Sequence, residues 1–137
     1  MLTIQTARSV LRDAGIRLTP QRLMIVEVLI GNRTHPTVEQ VYDVVRKQYP
    51  TISLATVYKT LSLLAQNRLI IELQGGRDGL RYDPDTSLHA HAYCAQCHRI
   101  LDIPVPFQVA WDEPQLTGFQ PTQVEISLTG YCAQCHV

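Results

Sequence analysis

The stretch His89-Ala-His91-Ala-Tyr93-Cys94-Ala-Gln-Cys97-His98-Arg99-Ile-Leu-Asp102 governs how the rest of the chain reads, because it gathers two histidines, a Cys-x-x-Cys pair and a carboxylate. On a strand, successive side chains point to opposite faces, so His89 and His91 are expected on one face, where they could chelate one ion together. Cys94 and Cys97 have the spacing of a metal knuckle. Cys132 and Cys135 repeat it after 34 intervening residues, with the same Cys-Ala-Gln-Cys-His letters. Four thiolates in two such pairs suit a tetrahedral zinc site. Two vicinal disulfides, a redox pair, or haem attachment through the Cys-x-x-Cys-His runs are the competing readings of the same letters. The stretch thus offers a closed sulfur cage beside a separate nitrogen and oxygen site for a harder, exchangeable metal.

A chain of 137 residues is one domain or two small ones. Its 45% apolar and 18% charged content is that of a soluble globular protein. No apolar run approaches the roughly 20 residues of a membrane span, and the N-terminus lacks the apolar core of a signal peptide. A cytoplasmic location is therefore expected, where the reduced thiol pool favours metal ligation over disulfides and export for haem attachment does not occur. The formal net charge of zero conceals a division. Residues 1–82 hold eleven Lys or Arg against six Asp or Glu, and residues 83–137 hold one against six. The front has the sign that nucleic acid attracts, and the acids of the back are available as ligands.

Working back to the front half, Ile4, Ala7, Leu11 and Ala14 recur at helical spacing with Gly15 as a C-terminal stop, predicting a helix over 3–14. Thr19-Pro20 opens a nearly all-apolar core helix that runs to Ile30 and stops at Gly31-Asn32. Thr37 and Gln40 form a capping box for a third helix that Pro50 ends, with Val38, Val41, Tyr42 and Val45 inward. Ser53 caps a fourth, Leu54 to Gln66, burying Leu54, Val57, Leu61 and Leu64 and exposing Ala55, Thr56, Tyr58, Lys59 and Ser62. Two short helices joined by a turn, the second presenting small, hydroxyl and basic groups, suit a major groove about 12 Å wide. Strands over 69–73 and 80–83 flank a glycine-rich tip holding Arg77, which reads as a wing. A helical protein-interaction module is the alternative for this half.

The fold class expected is α+β: a winged-helix DNA-binding domain over 1–83, a hinge over 84–88 marked by Pro84 and turn formers, and a dimerisation and metal-binding domain over 89–137. The latter reads as strands 89–93, 99–103 and 122–128, with a short helix over 107–113 limited by Pro114. With its hinge, the back half has about 55 residues, a size that metals or oligomerisation usually stabilise.

The order Thr19-Pro20-Gln21-Arg22, His35-Pro36-Thr37, Ala55-Thr56-Val57-Tyr58, His89-x-His91-x-x-Cys94-x-x-Cys97 and Cys132-x-x-Cys135 resembles the ferric uptake regulator family of metal-dependent transcription regulators, over nearly the whole chain. The resemblance implies a homodimer that binds a double-stranded DNA operator, a structural zinc on the four cysteines, and a regulatory Fe(II) or Mn(II) on His35, Asp83, His89, His91 and Asp102. Asp102, where many iron-sensing members have Glu, resembles the peroxide-sensing branch. There iron reacts with hydrogen peroxide and oxidises a ligand histidine, and His35 and His89 match the oxidised positions. An iron- or other metal-responsive repressor without peroxide sensing is the alternative function; a zinc-ribbon redox or haem protein that ignores DNA is a remoter one. No enzymatic turnover is implied. Arg17 matches a basic position that reaches a minor groove in relatives, and Arg22 is expected to meet phosphate or an acid within the fold. Leu88 and Ala90 stand where some relatives have ligands of an auxiliary metal, so that site is expected absent. His98 stands where relatives usually have glycine, residues 105–118 look shorter than the family's dimerisation helix, and no fifth cysteine serves as a zinc-sensor ligand.

Overall fold

Side-chain caps set the starts of the first four helices. Thr3 and Thr6 form a reciprocal capping box for α1 (Ile4–Asp13), and Gly15 beyond its end lies at φ +74°, a region glycine enters without steric cost. Thr19 Oγ1 accepts the Arg22 N–H at 3.4 Å, and Pro20 opens α2 (Pro20–Leu29). Thr37 and Gln40 close the box that starts α3 (Val38–Val45), and Ser53 Oγ accepts the Thr56 N–H at 3.1 Å to start α4 (Leu54–Gln66). The computed structural model describes residues 1–105 and 113–136, which fall into two units, Met1–Ser87 and Leu88–Val137.

In the first unit the inner faces of the helices share one core, in which Ala7, Leu11, Ile25, Val26, Leu29, Val41, Val57, Leu61 and Leu64 are fully buried. Two expectations need correction. The third helix ends at Val45, five residues before Pro50, and the chain turns through a Tyr49 N–H bond to the Val45 carbonyl. Proline disfavours helical geometry in the residue before it and cannot donate the next helical hydrogen bond, so it bounds a helix without fixing its last turn. Leu54 is 42% exposed, whereas Ile52, the residue before the cap, is buried with Val57. This is the pairing of a hydrophobic staple: Ile52 fills the core, and Leu54 faces solvent. Thr60 takes an inner position because its hydroxyl donates to the Thr56 carbonyl at 2.9 Å.

The wing follows. β1 (Ile71–Gln74) pairs antiparallel with β2 (Leu80–Asp83), Ile71 opposite Asp83, and the Gly75 N–H closes the tip on the Gly79 carbonyl at 2.7 Å. A bridge between Thr37 and Arg81 and the Tyr82 N–H bond to the Pro36 carbonyl (3.0 Å) stitch β2 to the loop before α3.

In the second unit β3 (His89–Cys94) is the central strand. β4 (Ile100–Pro104) lies antiparallel on one side and β5 (Ile126–Gly130) parallel on the other. The last strand was expected over 122–128 and begins four residues later. Parallel register puts Ile126 opposite Ala90 and Gly130 opposite Cys94, so residues 122–124 fall before the start of β3 and have no ladder to join. Alternating letters report a face, not a partner. The expected helix over 107–113 falls largely outside the described residues.

Candidate functional site

The sulfur cage arises from strand register. Cys94 ends β3 opposite Gly130, the Ala95 N–H bonds the Gly130 carbonyl at 2.7 Å, and Cys132 follows two residues on. Each knuckle is a tight turn: the His98 N–H reaches the Cys94 carbonyl (3.0 Å), and the Cys135 and His136 N–H groups reach that of Cys132 (2.9 and 2.8 Å). The four Sγ atoms lie within 4.8 Å of one another, and all four are free thiols. Cys97 and Cys132 Sγ stand 3.8 Å apart. Zinc bonds of about 2.3 Å in a tetrahedron require sulfurs about 3.8 Å apart, so the donor set fits zinc. The backbone N–H groups of Cys97 and then Cys132 hold the Cys94 thiol down to about 5, and the Gln134 N–H lowers Cys132. Cys135, hydrogen-bonded to Cys132, is pushed up to about 12. Clustered sulfurs cannot all carry charge without a cation, and one retains the proton that a metal would displace. His98 lies at φ +61°, which explains why glycine suits that position; a side chain there costs roughly 1–2 kcal/mol.

Imidazole and carboxylate groups meet within each unit. In the first, His35 Nε2 lies 3.4 Å from Asp83 Oδ2, both side chains only 2% exposed. His35 has φ +51°, a left-handed backbone whose carbonyl accepts the Arg81 Nε–H at 2.5 Å, while Arg81 Nη2 donates to the Thr34 carbonyl at 3.0 Å. Asp83 Oδ1 accepts the Asp85 N–H at 2.9 Å, which orients the carboxylate. In the second unit His91 pairs with Asp102 across the ladder. Asp102 Oδ1 lies 3.3 Å from His89 Nε2 and 3.5 Å from His91 Nε2, and the two rings stand 4.4 Å apart edge to face. Alternation thus puts both imidazoles on one face, with one carboxylate between them, and both histidine side chains are at most 7% exposed. These oxygen and nitrogen donors suit a borderline divalent ion.

The residues expected at DNA are also in the first unit. Ala55, Tyr58 and Lys59 are exposed on α4, Arg77 is exposed at the wing tip, and Arg17 is exposed ahead of α2. Thr56 is half-buried, with its hydroxyl 2.9 Å from that of the capping Ser53. Arg22 has no ion pair with an acid among the described residues: its Nη1 donates to the Arg17 carbonyl at 2.6 Å, pinning the turn into α2. Sequence reasoning missed Arg81. Its one signal was period two, which puts it on the side of β2 shared with Asp83; the bonds to Thr34 and His35 span 47 and 46 residues.

The ferric uptake regulator family model matches residues 13–129. The chain is 34% identical to the peroxide operon regulator of Bacillus subtilis over 134 residues, covering 96% of this chain and 92% of that one. It is 35% identical to the peroxide-responsive repressor PerR of Staphylococcus aureus over 127 residues, covering 91% and 86%. The peroxide stress regulator of Campylobacter jejuni superposes with a TM-score of 0.65 at 26% identity, covering 98% and 100%.

Proposed function

The chain belongs to the ferric uptake regulator family, and from that premise we propose that it is a metal-dependent transcriptional repressor that senses peroxide. The observation that carries this reading is Asp102, one carboxylate facing two strand-borne imidazoles in a chain 34% identical to a peroxide operon regulator. The four cysteines hold a structural Zn(II). His35 and Asp83 of the first unit and His89, His91 and Asp102 of the second take one regulatory Fe(II) or Mn(II) in a five-donor set. His35 and Asp83 supply two of these donors and the strand residues three.

Residues 84–88 are the hinge between a DNA-binding domain, 1–83, and a dimerisation domain, 89–137. With the five donors engaged, the hinge is fixed, and in a homodimer both α4 helices meet successive major grooves about 34 Å apart. Ala55, Thr56, Tyr58 and Lys59 face the groove, Arg17 a minor groove, and Arg77 the phosphates beside the wing. A coupling of roughly 1–3 kcal/mol between metal and DNA corresponds to roughly 5 to 150 fold in operator affinity. The work is done in the cytoplasm, where reduced thiols remain available to zinc.

Held by these donors, Fe(II) would supply the redox chemistry by which hydrogen peroxide oxidises a ligand imidazole, one peroxide oxygen replacing a ring C–H hydrogen and the other leaving as water; Mn(II) in the same donors would not. His35 and His89 are the imidazoles that take the oxygen. An oxidised ring is a poorer donor, so the two halves separate and the operator is released. The event consumes the sensor, and the protein is not a turnover enzyme.

The test is to load Fe(II) without oxygen, add hydrogen peroxide, and analyse peptides by mass. A one-oxygen gain on the His35 or His89/His91 peptide, with loss of operator binding, is expected. Metal-dependent DNA binding that survives peroxide with unmodified peptides contradicts peroxide sensing and leaves a purely metal-responsive repressor.

A further inference from the structure

Arg81 touches two parts of the first unit that the proposed function uses separately. Its guanidinium forks across the loop before α3, Nε donating to the His35 carbonyl at 2.5 Å and Nη2 to that of Thr34 at 3.0 Å. Its aliphatic stem lies on the wing tip. A Cβ built on Gly75 would collide with the Gly79 carbonyl oxygen and stand 2.6 and 2.8 Å from Arg81 Cγ and Cδ, so glycine there lets both the tip backbone and the stem pass close. Nη1 lies 3.8 Å from Asp78 in the same tip, whose carboxylate is half exposed and holds it only weakly. One 13%-exposed side chain therefore joins the turn carrying Arg77 to the two carbonyls that frame His35.

His35 is in a left-handed conformation that a non-glycine residue keeps only where its surroundings enforce it. That conformation aims the imidazole at Asp83. A planar guanidinium bonds two carbonyls at once, which a lysine ammonium on a flexible stem does not reproduce. We infer that Arg81 is a positioning residue for the regulatory ion, fixing the backbone that presents His35 and tying that ligand to the wing tip. The inference rests on the proposed role of His35 as a metal ligand. It adds a route by which metal occupancy reaches the wing inside the first unit. Because coupling is reciprocal, DNA that seats the wing tightens the hold on the ion.

The experiment uses full-length, zinc-loaded protein, Mn(II) alone as the probe, and the variants Arg81→Met, Arg81→Lys and His35→Asn. Arg81→Met keeps the stem and is expected to raise the Mn(II) Kd by about 10 to 100 fold, the range for residues that orient metal ligands, with zinc content and far-ultraviolet circular dichroism unchanged. Arg81→Lys is expected to fall between wild type and Arg81→Met. Amide hydrogen exchange at residues 75–79 should slow on saturation with Mn(II) in wild type and not in Arg81→Met. Wild-type Mn(II) affinity in Arg81→Met, with affinity lost in His35→Asn, overturns the inference and leaves the regulatory site standing. Unchanged affinity in His35→Asn removes the regulatory site itself, and Arg81's role with it. Should Arg81→Met not fold, Arg81→Lys decides, since wild-type affinity there refutes a forked hold.

Discussion

Replacing His35 with asparagine separates what that residue does for the fold from what it does for the switch. Asparagine enters the left-handed region more readily than most residues, so part of the roughly 1–2 kcal/mol that φ +51° costs is recovered. Against this, the side chain is shorter and cannot carry a donor to the place of Nε2, which lies 3.4 Å from the buried Asp83 carboxylate. A weakened hydrogen bond to a charged group removes roughly 1.5–3 kcal/mol. The recovered strain offsets part of that loss, so metal-free His35→Asn should be less stable than wild type by no more than about 2 kcal/mol. The switch should fail entirely. Fluorescence anisotropy on operator DNA at fixed salt, with and without Mn(II), should show the roughly 5 to 150 fold metal effect in wild type and none in the variant. Metal-free DNA affinity should not change. A full metal response in His35→Asn would refute the reasoning, and a stability loss well beyond about 2 kcal/mol would mean that His35 is scaffolding.

Tyr82 is fully buried, and its hydroxyl has no hydrogen-bond partner among the described residues; burial, then Glu72, pushes its pKa up. Tyr82→Phe should therefore hold or gain about 1 kcal/mol in denaturant unfolding, and a clear loss would reveal a partner for the hydroxyl. Cys94, held down to about 5 from an ordinary 9.0, stabilises the metal-free fold above pH 9 and loses that contribution as pH falls toward 5. Cys135, pushed up to about 12, contributes below pH 9 and loses its share as pH rises toward 12, so metal-free stability measured against pH should peak near 9. A monotonic curve across that span would contradict these assignments. Arg77→Ala should weaken binding to all DNA sequences alike and, because a dimer carries two copies, reduce the slope of log affinity against log salt by about 2, and an unchanged slope would remove Arg77 from the phosphate contacts.

Three helix starts were legible in the sequence because a cap is a local event: Thr19, Thr37 and Ser53 each bond a backbone N–H three residues ahead, whereas α1 was read from its apolar spacing and the Thr3 cap was not. The zinc cage was legible because Cys-x-x-Cys fixes each knuckle by itself, and four thiols have few other uses. What depends on distant partners was not. The true start of β5 is set by where β3 begins, the exposure of Leu54 by Ile52, and the role of Arg81 by carbonyls 46 and 47 residues away. The facing of His89 and His91 needed only alternation, but the carboxylate that meets them needed the register of His91 against Asp102.

The central claim is that one exchangeable ion is gripped by residues from both units. Crystals of the zinc-loaded protein grown with Mn(II), measured at the manganese absorption edge, test it most directly. The account predicts one manganese peak in each chain, bonded by His35, Asp83, His89, His91 and Asp102; a peak held by the strand residues alone, with His35 turned away, would contradict it.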